Sequence, residues 1–217
     1  MGSLIRLENI VMPSMNDNLD YKGCKQINLE IFSNDTLTIC GAPNTGKTTL
    51  LGILCLIHKP ITGNIYYEGV NLNYQSAKTK IELQKRMVGI VFKRDHFLEE
   101  LTVRDNIELP LLYDRLSRAG RSACVDKSIS VAKISHLQNA FVKDLSRLQR
   151  KKVQIARALV REPHLLIVDE ISHDLRASED LEIQELLINV KNNEETALVQ
   201  TSGDMSLQSG NVFHMPT

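Results

Sequence analysis

Short apolar runs alternate along this chain with longer stretches of helical spacing, and their order predicts the architecture. Leu4 to Ile10 alternates weakly as a first strand, and Gln26 to Ile31 alternates clearly as a second, each half-buried. Leu37 to Cys40 is a short apolar run that enters a glycine-rich turn, after which Lys47 to Ile57 has helical length and spacing. Asn64 to Tyr67 reads as a strand closed by a turn at Glu68-Gly69, and a polar helical stretch then leads to the buried strand Val88 to Phe92. From Lys93 to Asp144 the β signal disappears. Val103 to Leu109 and Ala123 to Ile134 have helical spacing there, with Pro110 and Gly120 as breaks. Ser146 is placed to cap a helix running to Val160. Strand Leu165 to Val168, helix Leu181 to Val190 and strand Thr196 to Gln200 complete an α/β pattern with a mainly parallel sheet.

Composition narrows the classes. The 217 residues carry 26 basic and 26 acidic side chains, 42% hydrophobic and 24% charged, which suits a single folded domain and argues against a strongly basic nucleic-acid binder. The longest apolar stretch, Leu50 to Ile57, is interrupted by Gly52 and falls far short of the roughly 20 residues that cross a bilayer. Met1 to Arg6 has neither a secretory apolar region nor the hydroxyl residue of a myristoylation signal, so a cytoplasmic location is expected. Cys24, Cys40, Cys55 and Cys124 form no C-x-x-C pair and read as reduced thiols. His58, His96, His136, His164, His173 and His214 lack metal-ligand spacing.

The first candidate chemistry lies in the glycine-rich turn. Gly41-Ala42-Pro43-Asn44-Thr45-Gly46-Lys47-Thr48 fits the G-x-x-x-x-G-K-[ST] pattern between a strand and a helix, with Thr49 following. Glycines let the backbone approach a polyphosphate, so that its N–H groups and the helix dipole meet the negative charge. Lys47 would add a point charge at the β and γ phosphates, and the Thr48 hydroxyl would ligate Mg²⁺. Leu165 to Val168 followed by Asp169-Glu170 is a Walker B arrangement, with carboxylates at the carboxyl edge of a sheet. Asp169 is expected to hold Mg²⁺ through water, and Glu170 to act as general base on the attacking water.

Leu145-Ser146-Arg147-Leu148-Gln149, then Val153 to Leu159, a strand and Asp169-Glu170 resemble the signature helix and Walker B strand of ABC-type ATPases. Val88 to Phe92, Phe97-Leu98 and Leu101 to Tyr113 look most like the subgroup serving lipoprotein release, macrolide export and bacterial cell division. The resemblance covers nearly the whole chain and implies a P-loop NTPase: an α/β, RecA-like core with a mixed, mainly parallel sheet, an inserted helical subdomain and an amino-terminal antiparallel β region. The implied division is one domain, with 1–92 and 146–217 as the nucleotide-binding core and 93–145 as the helical part. It also implies ATP and Mg²⁺ as ligands. The implied partners are a membrane permease subunit and a second ATP-binding subunit, the same or different, on the cytoplasmic face of the membrane. In that family each ATP lies between one subunit's phosphate loop and the other's signature.

Lys47, Thr48, Thr49, Asp169 and Glu170 match the family positions, whereas others depart. The Q-loop glutamine falls at Lys93, a cation that cannot ligate Mg²⁺. Both signature glycines have become Arg147 and Leu148, so close approach of Ser146, Arg147 and Gln149 to the opposite ATP should be obstructed. The D-loop aspartate falls at Arg176, and the switch histidine at Ser202. No aromatic for stacking on adenine occurs at Met12 to Ser14, and Tyr21 is the nearest candidate. His173 is a candidate substitute for the switch histidine, and Arg147 either acts as a trans arginine finger or marks lost function. Arg147, Arg150, Lys151, Lys152, Arg157 and Arg161 put six bases in one helix without an acid, read as a solvated or intersubunit face rather than a nucleic-acid surface. Two functions stay open: an ABC subunit with slow or partner-dependent hydrolysis, and a catalytically deficient nucleotide-binding regulator or scaffold.

Overall fold

The computed structural model describes residues 2–13, 26–194, 196–203 and 211–215; Tyr21 and Cys24 lie outside them. Its strands form two sheets. Strands β1 (Ile5–Val11), β2 (Ile27–Ile31), β4 (Thr62–Tyr67) and β5 (Val70–Asn71) make an antiparallel sheet in the order β2-β1-β4-β5. The alternation of β1 is weak because its register slips between Leu7 and Ile10, where Asn9 takes φ 52°. Gly63 faces that bulge at φ 103°, and a Cβ there would come within 2.6 Å of the Glu8 and Asn9 carbonyl oxygens.

Strands β3 (Thr36–Cys40), β6 (Val88–Val91), β7 (Leu165–Val168), β8 (Ala197–Ser202) and β9 (Asn211–His214) make a wholly parallel sheet in the order β6-β7-β8-β3-β9. All four residues of β7 are buried, as expected of a parallel strand covered on both faces. Parallel strands end at one edge, so the loops after β3, β6, β7 and β8 gather there.

Helix α1 (Lys47–Leu54) is shorter than its apolar pattern predicts. Leu56 turns to φ 59°, and the Ile57 and His58 N–H groups both donate to the Gly52 carbonyl, at 2.8 and 2.9 Å. This wrap brings the His58 ring to within 2.0 Å of where a Gly52 Cβ would stand, so any larger residue would have to displace that ring. Helices α2 (Ala77–Met87), α3 (Val103–Glu108) and α4 (Arg118–Val131) begin at Ser76, Thr102 and Ser117 caps. Gly120, expected to break the chain, lies inside α4, where its N–H donates to Ser117 Oγ at 3.1 Å. In the first turn its N–H needs a side-chain acceptor rather than a helical carbonyl, so the residue sits at a helix start.

Helix α5 (Arg147–Leu159) has a capping box formed by Ser146 and Gln149, and α6 (Ala177–Glu194) follows β7. Ile155 and Leu159 pack with the sheet residues Leu166 and Val168 and with Ile183 and Leu187 of α6. Val153, Ala156 and Val160 pack instead with Val103, Ile107, Val125 and Ile129 of α3 and α4. One helix therefore joins the sheet to the helical insert.

Candidate functional site

The glycine-rich turn leaves β3 at the carboxyl edge of the parallel sheet. Asn44 and Gly46 turn it through φ 65° and 91°, values that asparagine tolerates and glycine adopts freely. Thr45 Oγ1 donates to the Ala42 carbonyl at 2.9 Å and closes the loop. Lys47, only 6% exposed, donates from Nζ to the carbonyls of Gly41 at 2.7 Å and Ala42 at 3.2 Å. Its ammonium is thus held over the loop by the loop's own backbone.

Beneath the loop lie two residues that the sequence reading did not single out. Met215 N–H donates to the Cys40 carbonyl at 2.9 Å, and its Cβ is 3.0 Å from where a Gly41 Cβ would stand. Met12 Cε is 3.0 Å from the corresponding point at Gly46. These glycines serve turn geometry and close packing together. Nothing in the spacing of Met12 and Met215 marks them, because Met215 reaches the loop through the pairing of β9 with β3, and Met12 from the end of β1 in the other sheet.

The β7 carboxylates meet the loop from two strands away, with β8 between β7 and β3. Thr48 Oγ1 donates to Asp169 Oδ2 at 3.2 Å across 121 residues of sequence. Thr201, at the end of β8, donates from Oγ1 to Asp169 Oδ1 at 2.8 Å and accepts from the Glu170 N–H at 2.9 Å. Thr201 precedes the position expected for the switch residue, Ser202, and was missed because threonine inside a strand gives no local signal. Glu170 itself takes φ 40°, a strained value for a side-chain-bearing residue.

Lys93, the residue after Phe92 that follows β6, contacts Glu170 directly. Its Nζ donates to Glu170 Oε2 at 2.6 Å, while Lys47 Nζ lies 3.5 Å from Oε1. The Lys93 hydrogen bond first, and then the charges of Lys93 and Lys47, hold the Glu170 carboxyl below the usual carboxylate range; partial burial opposes them. A carboxylate held this way is a weaker proton acceptor. Deeper in the core, burial and then the Asp169 charge push the Cys55 thiol up to about 12, which keeps it protonated at neutral pH.

The structure therefore brings Gly41 to Thr49, Lys93, Asp169, Glu170 and Thr201 to one edge. Ser146, Arg147 and Gln149 are not joined to it by any hydrogen bond or ion pair among the described residues. Gln149 Oε1 instead accepts from the Ser146 N–H at 2.8 Å. Arg147 is exposed and unpaired among the described residues. His173 Nδ1 lies 3.5 Å from Asp174 Oδ1, and Arg176 is exposed.

The basic helix face is not a solvated one. Arg150 donates to Asp95 and Glu99, each at 2.6 Å; Lys152 pairs with Glu182 at 2.5 Å, and Arg161 with Asp114 at 2.7 Å. Buried Lys151 donates to the Lys93 carbonyl at 3.2 Å and lies 3.4 Å from Asp174 Oδ1. Arg157 donates to the His96 carbonyl at 2.7 Å and stacks over Phe97. Five of the six bases are thus matched within the chain. Four of them meet acids that lie outside the helix, and Arg157 meets a carbonyl and a ring, which is why the helix alone looked uncompensated.

Comparison with known proteins places these features. Residues 24–173 match the family described as ABC transporter. The chain is 32% identical over 183 residues to the lipoprotein-releasing system ATP-binding protein LolD of Buchnera aphidicola, covering 83% of this chain and 79% of that protein. It superposes on cbiO1 of Clostridium perfringens, part of the cbiONQ ABC transporter complex, with a TM-score of 0.86 and 26% identity, over 99% of this chain and 85% of that one. The ATP-binding cassette MJ0796, solved as a dimer in a post-hydrolysis state with ADP and Pi, shares the fold at a TM-score of 0.82 and 24% identity, over 97% and 94% of the two chains.

Proposed function

The chain belongs to the ABC transporter family, and from that premise we propose that the edge built by Gly41 to Thr49, Asp169 and Glu170 binds ATP and drives a membrane permease partner from the cytoplasmic face. It is an ATP-binding subunit of the kind that works with membrane subunits and pairs into dimers. Among the described residues no helix is long and apolar enough to cross a membrane. The family match favours this reading over a free-standing regulator.

The observation that carries the site assignment is the 3.2 Å contact between Thr48 Oγ1 and Asp169 Oδ2. It brings a hydroxyl and a carboxylate together beside the buried Lys47. These are hard oxygen donors of the type Mg²⁺ takes, so Thr48 and Asp169 would hold the ion. Bound there, Mg²⁺ would neutralise phosphate charge. The loop N–H groups and Lys47 orient the phosphates, and Thr201 keeps Asp169 turned toward Thr48. Glu170 is the proton acceptor for an attacking water. Its ion pair with Lys93 makes that step slow, because the carboxylate must leave an ammonium before it can accept a proton.

The test is ATP affinity of the purified chain by titration calorimetry. Replacing Lys47 with alanine should weaken binding by about tenfold or more, since a charge-assisted phosphate contact contributes about 1.5–3 kcal/mol. Equal affinities of wild type and Lys47→Ala would remove the assignment.

A further inference from the structure

Lys93 places a cation at the same edge as Thr48 and Asp169. We propose that Lys93 supplies, from the chain itself, part of the positive charge a divalent metal brings to a triphosphate, so that this site takes ATP with little dependence on divalent cation. The inference deepens the nucleotide-site reading above and rests on it.

The geometry is that of a two-lysine anion clasp. Lys93 Nζ is 2.6 Å from one oxygen of Glu170, and Lys47 Nζ is 3.5 Å from the other. One compact anion with oxygens on both sides satisfies both ammonium groups, and a terminal phosphoryl group has that form. It can exchange with the Glu170 carboxylate, whose own bond to Lys93 is about half-exposed at the lysine end.

The base of Lys93 is fixed rather than free. Gln154, 2% exposed, donates to the Phe92 carbonyl at 3.2 Å, and Lys151, 5% exposed, donates to the Lys93 carbonyl at the same distance. Arg157 holds the His96 carbonyl, and Arg150 holds Asp95. Helix α5 thus clamps the segment after β6 at successive points, and only the Lys93 side chain needs ordering to meet a ligand.

The charge balance agrees. Lys47 and Lys93 against Asp169 and Glu170 sum to zero, where an amide at residue 93 would leave one net negative charge facing the triphosphate. Metal-free ATP is more negative than its magnesium complex, so the added cation favours the metal-free form most. The same ammonium opposes a second cation beside Thr48 and Asp169.

The experiment measures ATP affinity of the full chain by calorimetry in Mg²⁺ and in EDTA, for wild type, Lys93→Gln, Lys93→Arg and the exposed control Lys78→Gln, with urea midpoints to verify folding. Wild type, Lys93→Arg and Lys78→Gln should bind within about threefold in the two conditions, while Lys93→Gln should lose about tenfold in EDTA relative to Mg²⁺, a size discounted for solvent screening. ADP, which lacks the terminal phosphoryl group, should show a smaller change. An EDTA-to-Mg²⁺ ratio that is the same in wild type and Lys93→Gln would overturn the inference while leaving the nucleotide site standing. Failure of the wild type to bind ATP in either condition would overturn the nucleotide-site reading and this inference with it.

Discussion

Replacing Thr201 with valine removes one oxygen from the centre of the site while nearly preserving side-chain volume. That oxygen donates to Asp169 Oδ1 at 2.8 Å and accepts from the Glu170 N–H at 2.9 Å. Thr201 is 7% exposed and Asp169 8%, so water does not readily take its place. A hydrogen bond to a charged group contributes about 1.5–3 kcal/mol, and an orphaned buried N–H costs about 1–3 kcal/mol. The added methyl returns about 0.8 kcal/mol through burial, leaving a net loss of about 3 kcal/mol. The Glu170 N–H bond also restrains a residue at φ 40°, so its loss lets that backbone relax and displaces the carboxylate. Urea unfolding followed by circular dichroism reads the effect: with a slope of about 2–3 kcal/mol/M, the midpoint should fall by about 1 M. Thr201→Ser keeps the hydroxyl and loses one methyl, so its midpoint should fall by about 0.3 M. Equal shifts for valine and serine would show that volume, not the hydroxyl, matters at residue 201, and would refute the reasoning.

Two further outcomes test the fold around the site. Gly89→Ala places a Cβ 2.4 Å from the Ala158 carbonyl oxygen and 2.9 Å from Pro163 Cγ, between β6 and α5. It should lose about 2–3 kcal/mol by overpacking, against about 1 kcal/mol for Gly69→Ala, which is limited only by its φ of 78°; matching losses in thermal melts would contradict the packing argument. Arg150→Gln removes the hydrogen bond that, ahead of its charge and against partial burial, lowers the Asp95 carboxyl. Because the folded-state value lies below the unfolded one, this stability is present above the unfolded pKa, about 3.9, and is lost as pH falls through the folded value. The variant should lose about 1 kcal/mol at neutral pH, a size discounted for solvent screening, and show a shallower acid decline below about pH 4, whereas profiles parallel to wild type would disprove the linkage.

The parts of the site written in contiguous residues were legible beforehand. The glycine-rich loop is local: Asn44 and Gly46 supply positive φ, and Lys47 reaches back to Gly41 and Ala42. The strand ending in Asp169-Glu170 and the Ser146 cap follow equally from short-range pattern. Gly120 was misread because a glycine in a helix's first turn looks the same in sequence as one between helices.

The chain's sequence by itself determined which backbone segments could cradle a polyphosphate, since dihedral preference and hydrogen-bonding capacity act over a few residues. It also showed that residue 93 is a lysine, where the family resemblance implies an amide. Only the tertiary structure decided what that cation meets. The parallel sheet brings the ends of β3, β6, β7 and β8 to one edge, so Lys93 meets Glu170 across 77 residues and Thr48 meets Asp169 across 121. The same holds for the helix whose six bases looked uncompensated, because five find partners on other segments. A charge's function depends on the groups within a few ångströms of it, and those neighbours are chosen by strand order.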